Sequence, residues 1–365
     1  MFPLSVRQSS ILLLTVLIVL SLLTSSLPQA QASGEKVIPA TGNTAPTAAL
    51  LPFGYGMVMA NSLDRTSAQE MGFNWIMVFD PPGLGSYPNV LRRVKATSTD
   101  LFNLPAFRSR VVAQASGVQA IQIGNEPNLN SEWITAPSAA EYRQVLCEAY
   151  TAIKQAYPTV IVVSGGLAPT GRVPGIWNGH PGHDGLKQDE REFLKEFIAA
   201  GGGNCLDAVG YNALGFRANY DAAPDVNGGT TDTDCAGGLC FRSVEKAREI
   251  MQTLGLDKPI WATEVGWLTP PPEHCLTDPR WPSRTWQIVT PEQQAQNLVG
   301  AFRYARVHWP WLQAMFVFNL DFSSAPWYDE CEQMRYYSVN RQPTYDALLS
   351  MSKVWTSRYL PLLLQ

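Results

Sequence analysis

The sequence lacks several features that would assign it to a common functional class. Its 27 Lys and Arg face 31 Asp and Glu, a formal net charge of -4, so no basic excess exists to attract nucleic acid. No cysteine pair has the spacing of a zinc site, and no Gly-rich phosphate loop occurs. The two histidines of "GHPGHDG" (179–185) have no third ligand of matching spacing, which favours a polar loop. We therefore expect no metal, no cofactor and no nucleic-acid partner.

Long hydrophobic runs are also scarce, and the most prominent one lies at the N-terminus. "ILLLTVLIVLSLL" (11–23) follows Arg7 and is shorter than the roughly 20 apolar residues that a membrane span requires. Small residues follow at Ala30 and Ala32, so residues 1–32 are predicted to be a cleaved signal peptide. An uncleaved N-terminal anchor is the alternative. In both cases we expect a secreted or extracytoplasmic protein without a membrane span in the mature chain, and we expect a monomer.

The cysteines agree with export, because six of them form an even set. Cys235 and Cys240 can close a small loop through two glycines, and Cys275 can join Cys331 to connect two later loops. Cys147 lies within a helical pattern, where the interpretation is a buried free thiol.

Residues 33–51 are small and rich in Pro and Gly, typical of a linker, and no composition break divides 52–365. Within this single domain, short apolar runs alternate with helical patterns. The eight predicted strands are 52–60, 73–80, 89–96, 119–124, 159–166, 206–212, 259–267 and 314–322. This alternation predicts an α/β fold, a (β/α)8 TIM barrel. Only eight residues separate Asp80 from Asn89, so we expect the helix between the second and third strands to be lost.

Two acidic residues follow strands of this barrel at the end where such proteins carry their chemistry. Glu126 comes after the fourth strand in "IGNEPN", and Glu264 lies near the end of the seventh in "IWATEVGW". Two carboxyl groups about 5 to 5.5 Å apart are what a retaining glycosidase needs, one as nucleophile and one as acid and base. A helix start is the alternative for Glu126, since Asn and Pro flank it, and a core salt bridge is the alternative for Glu264.

The two motifs resemble the signatures of the clan A glycoside hydrolases, the barrel superfamily that includes families 5 and 39. The resemblance extends over nearly the whole chain after the linker. It implies that Glu126, preceded by Asn125, is the acid/base and that Glu264 is the nucleophile. It also implies that Tyr211, near the sixth strand, touches the nucleophile, although Asn212 stands where related enzymes often have His.

The eighth strand departs from the clan pattern, since it ends in "FVFNLDF" and lacks the usual Trp of the sugar site. Asn319 is therefore a candidate for bonding a sugar hydroxyl, and Trp327 for stacking on the ring. Trp133 and Trp267 are further candidate sugar platforms, because each follows a strand that carries a catalytic candidate. Asn125 is expected to donate to the sugar 2-hydroxyl or to the nucleophile.

The leading hypothesis is a secreted retaining glycoside hydrolase acting on a β-linked polysaccharide or oligosaccharide. A catalytically inactive carbohydrate-binding barrel at the cell surface is the alternative, motivated by the short second connection and the missing Trp. A scaffold in a surface layer is a third hypothesis, with only the export signal behind it.

Overall fold

The computed structural model describes residues 53–60, 65–79, 87–224 and 235–353. The predicted signal peptide and linker lie outside these ranges. So do residues 80–86, which form most of the connection for which we expected no helix. The described residues on either side of them, 79 and 87–89, are not helical.

Eight parallel strands form one sheet that curls into a barrel. In chain order they are Gly54–Val58 (β1), Trp75–Val78 (β2), Val90–Val94 (β3), Ala120–Ile123 (β4), Ile161–Ser164 (β5), Val209–Asn212 (β6), Ile260–Val265 (β7) and Leu312–Val317 (β8). The strands from β1 to β5 and from β6 to β8 each pair with their neighbours in sequence, and β1 pairs with β8. Between β5 and β6 the closure is looser, with isolated parallel bridges at Val163 and Leu167. The predicted (β/α)8 barrel is confirmed.

Helices surround the strands. In the described residues they are Thr66–Glu70 (α1), Leu104–Ala115 (α2), Asn130–Trp133 (α3), Ala139–Ala156 (α4), Glu190–Ala199 (α5), Val244–Thr253 (α6), Pro291–His308 (α7) and Thr344–Ser350 (α8). Their limits follow local chemistry. The Ser138 hydroxyl accepts from the Glu141 amide at the start of α4, and Thr290 with Gln293 forms a reciprocal capping box on α7, before Pro291 in the first turn. The sequence did not indicate the short α1 and α3.

Side chains alternate along each strand between the barrel interior and the layer beneath the helices. The interior contains Val58, Met77, Leu91, Val163 and Phe316 in one buried cluster. The intervening residues of the same strands belong to a second, larger cluster that packs against the helices. Near the carboxyl ends of the strands, polar side chains replace the apolar ones at the interior positions.

Three disulfides use all six cysteines, an arrangement typical of proteins from an oxidising compartment. The bridges Cys235–Cys240 and Cys275–Cys331 match the predicted pairs. The free-thiol interpretation of Cys147 is wrong. Its helix, α4, packs beside the turn before β6, so Cys147 reaches Cys205 with a Cα separation of 4.8 Å. Among the described residues, no helix has the length and apolar character needed to cross a membrane.

The long-range disulfide on α4 should contribute more to stability than the short one. Cys147–Cys205 spans 58 positions and Cys235–Cys240 only 5. A larger closed loop removes more entropy from the unfolded chain, so the paired substitution Cys147→Ala with Cys205→Ala should cost about 4 kcal/mol. The matched control, Cys235→Ala with Cys240→Ala, should cost about 2 kcal/mol. Urea unfolding of both variants measures these losses, and a larger loss in the control would contradict the entropic account.

Candidate active site

The backbone after β4 turns sharply to present Glu126. Gly124 has φ 77° and Glu126 has φ 40°, the left-handed region that a residue with a side chain seldom occupies. Such a conformation costs about 1–3 kcal/mol and is concentrated at functional sites. The Glu126 amide donates to the Gly166 carbonyl at 2.9 Å, which holds the turn against the loop after β5. Because α3 begins only at Asn130, the helix-start alternative for Glu126 is wrong.

The side chain of Asn128 also holds this turn in place. Its buried side chain donates to the carbonyls of Ala168 (2.9 Å) and Gln188 (3.0 Å) and accepts from the Ala168 amide at 2.9 Å. These bonds connect the segment after β4 to two parts of the long connection after β5. The position of Glu126 is therefore fixed by its own amide bond to Gly166 and by the hydrogen bonds of the Asn128 side chain.

A β-bulge at the end of β7 presents Glu264. Tyr211 of β6 is opposite Ala262, whereas the next residue, Asn212, is opposite Glu264, so Thr263 is the extra residue. A bulge interrupts strict alternation, so two consecutive side chains can lie on the same face of the strand. Thr263 and Glu264 both use this freedom: the first bonds Asn212 and the second meets Arg93.

Asn212 connects the two strand ends through its amide group. Its Nδ2 donates to Glu126 Oε1 at 2.9 Å and lies 3.5 Å from Asn125 Oδ1, while its Oδ1 accepts from the Thr263 hydroxyl at 2.8 Å. The Thr263 bond orients the amide so that its N–H points at the carboxyl group. Gly166 leaves room for this arrangement, since a Cβ there would lie 2.2 Å from Asn212 Oδ1.

Arg93, from β3, provides the positive charge at the site. Its Nη1 is 2.5 Å from Glu264 Oε1, and the two side chains are 18% and 8% exposed. The guanidinium also lies 4.2 Å from the ring centroid of Phe79, which restricts its movement. Sequence reasoning missed Arg93, although period-two alternation in "VLRRV" places it on the interior face with Leu91.

The surroundings of the two carboxyl groups differ. Burial raises the pKa of Glu126 to about 8, the charge of Glu264 adds to the rise, and the Asn212 hydrogen bond opposes it. Burial also raises the pKa of Glu264, but there the guanidinium of Arg93 acts in the opposite direction. The positive charge of Arg93 therefore favours the ionised form of Glu264, whereas burial and the charge of Glu264 favour the protonated form of Glu126.

Two further residues lie within electrostatic reach of the pair. The partly exposed Glu132, on α3, raises the pKa of both Glu126 and Glu264 through its negative charge. Tyr337 is buried, and burial raises its pKa to about 12; the charge of Arg284 opposes the rise, and the charges of the two carboxylates add to it. Neither residue stands out in the sequence, because both enter the site from connections rather than from strands.

The expected contact of Tyr211 with the nucleophile is wrong. Tyr211 points outward from β6, is almost fully buried, and its hydroxyl is 3.0 Å from Ser243 Oγ, just before α6. Alternation along β6 directs the next residue, Asn212, towards the site instead. A shift of one position on a strand exchanges the two faces.

Three other candidate binding residues are buried and have internal partners. Asn319 donates to the Met334 carbonyl at 2.8 Å and accepts from the Phe322 amide at 3.0 Å. Trp267 and Trp133 have no exposed surface; the indole N–H of Trp267 donates to Ala218 O and that of Trp133 to Glu141. The proposed sugar contacts of these three side chains are therefore wrong, and their roles are structural. Trp327 differs, since it is 57% exposed in the connection after β8.

Groups with potential metal ligands have other partners. His180 bonds Glu196 at 2.9 Å and His183 bonds the Pro137 carbonyl at 3.0 Å. Within the described ranges, the cluster that brings three candidate ligands together is His274 with Cys275 and Cys331. Its two sulfurs form a disulfide, so they lack the thiolates that a metal would bind.

No protein-family model matches the chain, and neither does any curated protein. Its fold is similar to solved glycoside hydrolase structures at low sequence identity. A family 128 (subgroup II) endo-β-1,3-glucanase from Sorangium cellulosum has a TM-score of 0.51 at 15% identity, covering 84% of this chain and 99% of that one. A family 39 glycoside hydrolase from Bacteroides cellulosilyticus has 0.51 at 15%, with 82% and 63% covered.

A third similar structure contains sugar. It is a family 128 (subgroup I) endo-β-1,3-glucanase from Amycolatopsis mediterranei in complex with laminaritriose and laminaribiose, with a TM-score of 0.50 at 13% identity, covering 82% of this chain and 99% of that one. At these identities the likeness establishes the barrel fold that these glycoside hydrolases share with this chain.

The raised pKa of Glu126 predicts a specific pH dependence of stability. The folded state holds this proton more tightly than the unfolded chain, so its contribution to stability is complete below about pH 4.5 and is lost as pH rises towards about 8. Glu126→Gln removes that titration. The variant should gain on the wild type as pH rises from 5 to 8, by roughly 3 kcal/mol after allowance for partial exposure. Urea unfolding across this range measures the difference. The exposed Glu273→Gln is the control, and a parallel pH profile for Glu126→Gln and wild type would refute the prediction.

Proposed function

We propose that the protein is a retaining glycoside hydrolase that cleaves β-linked glycans outside the cytoplasm, with Glu126 as acid/base and Glu264 as nucleophile. The observation that carries the proposal is the unequal environment of the two carboxyl groups at one end of the barrel. Arg93 is paired with Glu264, whereas Glu126 has the raised pKa and a neutral amide partner. Different protonation states of two neighbouring carboxyl groups are what acid and nucleophile require.

In the first half-reaction an ionised Glu264 oxygen attacks the anomeric carbon. The bond from that carbon to the glycosidic oxygen breaks, and Glu126 transfers its proton to the departing oxygen. The products are a glycosyl ester on Glu264 and a free sugar alcohol. Arg93 holds Glu264 in its charged form and fixes the attacking oxygen.

In the second half-reaction water replaces the departed sugar. The negative charge of Glu264 has disappeared into the ester, so one cause of the high pKa of Glu126 is removed. Glu126, now ionised, takes a proton from water as the oxygen attacks the anomeric carbon, and Glu264 leaves as a carboxylate. The Asn212 amide remains bonded to Glu126 in both charge states and keeps it in position.

The substrate class rests on the position of the site and on similar proteins. The open rim of a barrel suits an extended sugar chain, and Trp327 is an exposed aromatic ring beside it. The similar structures include endo-β-1,3-glucanases, one of them bound to laminaritriose and laminaribiose. These observations support a β-linked glucan or related glycan as substrate. The three disulfides support the predicted export.

A binding barrel without turnover is the competing function. It would need neither a carboxyl group with a raised pKa nor a strained residue to present it, since sugar binding uses neutral donors and acceptors equally well. The presence of an acid with a pKa of about 8 next to a carboxylate paired with Arg93 favours catalysis over binding.

A mechanism-based label tests the assignment of the nucleophile. The protein is incubated with a panel of dinitrophenyl 2-deoxy-2-fluoro-β-glycosides (gluco, galacto and xylo), which slow hydrolysis of the glycosyl ester so that it accumulates. We expect one covalent sugar per chain, located on Glu264 by peptide mapping. Glu264→Gln should remain unlabelled, whereas Glu126→Gln should still be labelled, because an activated phenol leaves without a proton. Labelling of another residue, or of none by any sugar, would refute the proposal.

The role of Arg93 can be measured separately through the pH profile. Its positive charge lowers the pKa of Glu264, so Arg93→Met should raise that pKa and move the acid limb of kcat/KM to higher pH. At pH 6 the loss should be about 100-fold, as for other removed electrostatic contacts at active sites. Arg93→Lys retains the charge and should keep the acid limb near that of wild type. An unshifted acid limb in Arg93→Met would contradict this role.

A further inference from the structure

The exposed aromatic side chains of the described residues lie in connections at one end of the barrel, the end to which the strands' carboxyl termini point. Of all aromatic side chains in the described ranges, four are more than about a third exposed: Phe102 (88%), Trp177 (37%), Trp286 (40%) and Trp327 (57%). All four lie in connections that follow a strand, after β3, β5, β7 and β8. The connections at this end surround the carboxylate pair. Large exposed apolar side chains grouped beside a site mark a binding surface.

Trp177 lies on the Glu126 side of the pair. It belongs to a short hairpin and stacks on His183, with ring centroids 4.8 Å apart and planes inclined by 15°. The same connection contacts α3 through the Leu186 carbonyl, which accepts from the Asn130 amide at 2.7 Å. Helix α3 carries Glu132, whose charge reaches both Glu126 and Glu264. Trp177 is thus stacked on His183 and 37% exposed, in a connection that contacts the helix of Glu132.

Trp286 lies on the other side and has the same construction. It stacks on Phe216, with centroids 5.7 Å apart and planes inclined by only 5°. The next residue, Gln287, is buried and accepts from the Tyr337 hydroxyl at 3.4 Å. Tyr337 is the buried phenol whose pKa responds to both carboxylates. This connection therefore extends from the pair to Trp286.

A row of aromatic rings connects Trp327 to Arg93, the ion-pair partner of Glu264. Its neighbour Tyr328 packs on Phe322 at 5.6 Å, Phe322 contacts Phe79 at 6.1 Å, and Phe79 carries the Arg93 guanidinium. Trp286 and Trp327 thus lie in the connections after β7 and β8, next to the strand of Glu264, whereas Trp177 lies in the connection after β5, next to the strand of Glu126.

A rigid connection holds these last two rings in place. The Cys275–Cys331 disulfide joins the segments after β7 and β8. Arg280 adds ion pairs from the first segment to Asp329 (2.9 Å) and Glu332 (3.3 Å) in the second. Rings that are already ordered lose little entropy when a ligand binds, so they are suited to stacking on successive sugars.

We infer that Trp177 on one side and Trp286 with Trp327 on the other form a continuous path for a glycan chain that passes across the carboxylate pair. This inference rests on the proposed function and deepens it. A binding path that continues beyond the first sugar on each side of the cleaved bond makes the enzyme an endo-hydrolase of long β-linked chains. A pyranose ring offers flat apolar faces, which suit stacking on the exposed parts of these three indoles. Cleavage then occurs within the chain rather than at its end.

The test uses β-1,3- and β-1,4-linked gluco-oligosaccharides of two to seven residues together with an aryl monoglucoside. For wild type, we expect kcat/KM to rise steeply with chain length in one series. Trp177→Ala and Trp286→Ala should each lower kcat/KM on the seven-residue substrate, mainly through KM, by roughly tenfold more than on the aryl glucoside. Trp177→Phe should recover most of the loss. The matched control, Phe102→Ala, should leave both activities unchanged, because this exposed ring lies in the connection after β3 and is not part of the path.

The outcomes separate this inference from the proposed function. Hydrolysis of the aryl glucoside with no dependence on length, or equal losses on short and long substrates, would overturn the path but leave the glycosidase assignment intact. If wild type cleaves nothing, binding of the same oligosaccharides is followed by tryptophan fluorescence. Weaker binding by the two Trp variants would support the path without catalysis, and unchanged binding would overturn it.

Discussion

The site depends on how two partly buried carboxyl groups are kept together. Water stabilises a carboxylate strongly, so burying two beside each other is unfavourable unless each has a different compensation. Glu264 receives a full positive charge from Arg93, and Glu126 receives a single hydrogen bond from a neutral amide. This inequality favours the protonated form of Glu126 and the ionised form of Glu264.

The barrel is what makes this arrangement possible from distant parts of the chain. Arg93 and Glu264 are 171 positions apart, yet parallel strands bring their ends to the same rim. Asn212, at the end of β6, contacts both Glu126 after β4 and Thr263 of the neighbouring β7. The bulge at Thr263 allows two consecutive side chains, Thr263 and Glu264, to lie on the same face at the end of β7, which regular alternation would not allow.

The fold and the position of the two acids at the ends of strands could be predicted from the sequence because their signals are local. Buried strands are continuous apolar runs, and Glu126 and Glu264 interrupt two of them at the ends. The failures needed information that the sequence does not carry in one place. Choosing between Tyr211 and Asn212 depends on a register of one residue, and pairing Cys147 depends on the packing of α4 against the turn before β6. Arg93 was missed because a charged residue within a strand looks like an ordinary surface position.

Tryptophan illustrates why residue type alone does not identify sugar contacts. An indole has a large apolar face and one N–H that needs a partner, so it can anchor a loop or present a platform. In Trp267 the N–H is satisfied by a distant carbonyl and both faces are covered, and the ring therefore fixes the connection after β7. In Trp177 and Trp286 one face stacks on another ring, and more than a third of the side chain is exposed. The same residue type thus forms a buried anchor in one place and an exposed stacked ring in another, and only three-dimensional packing separates the two.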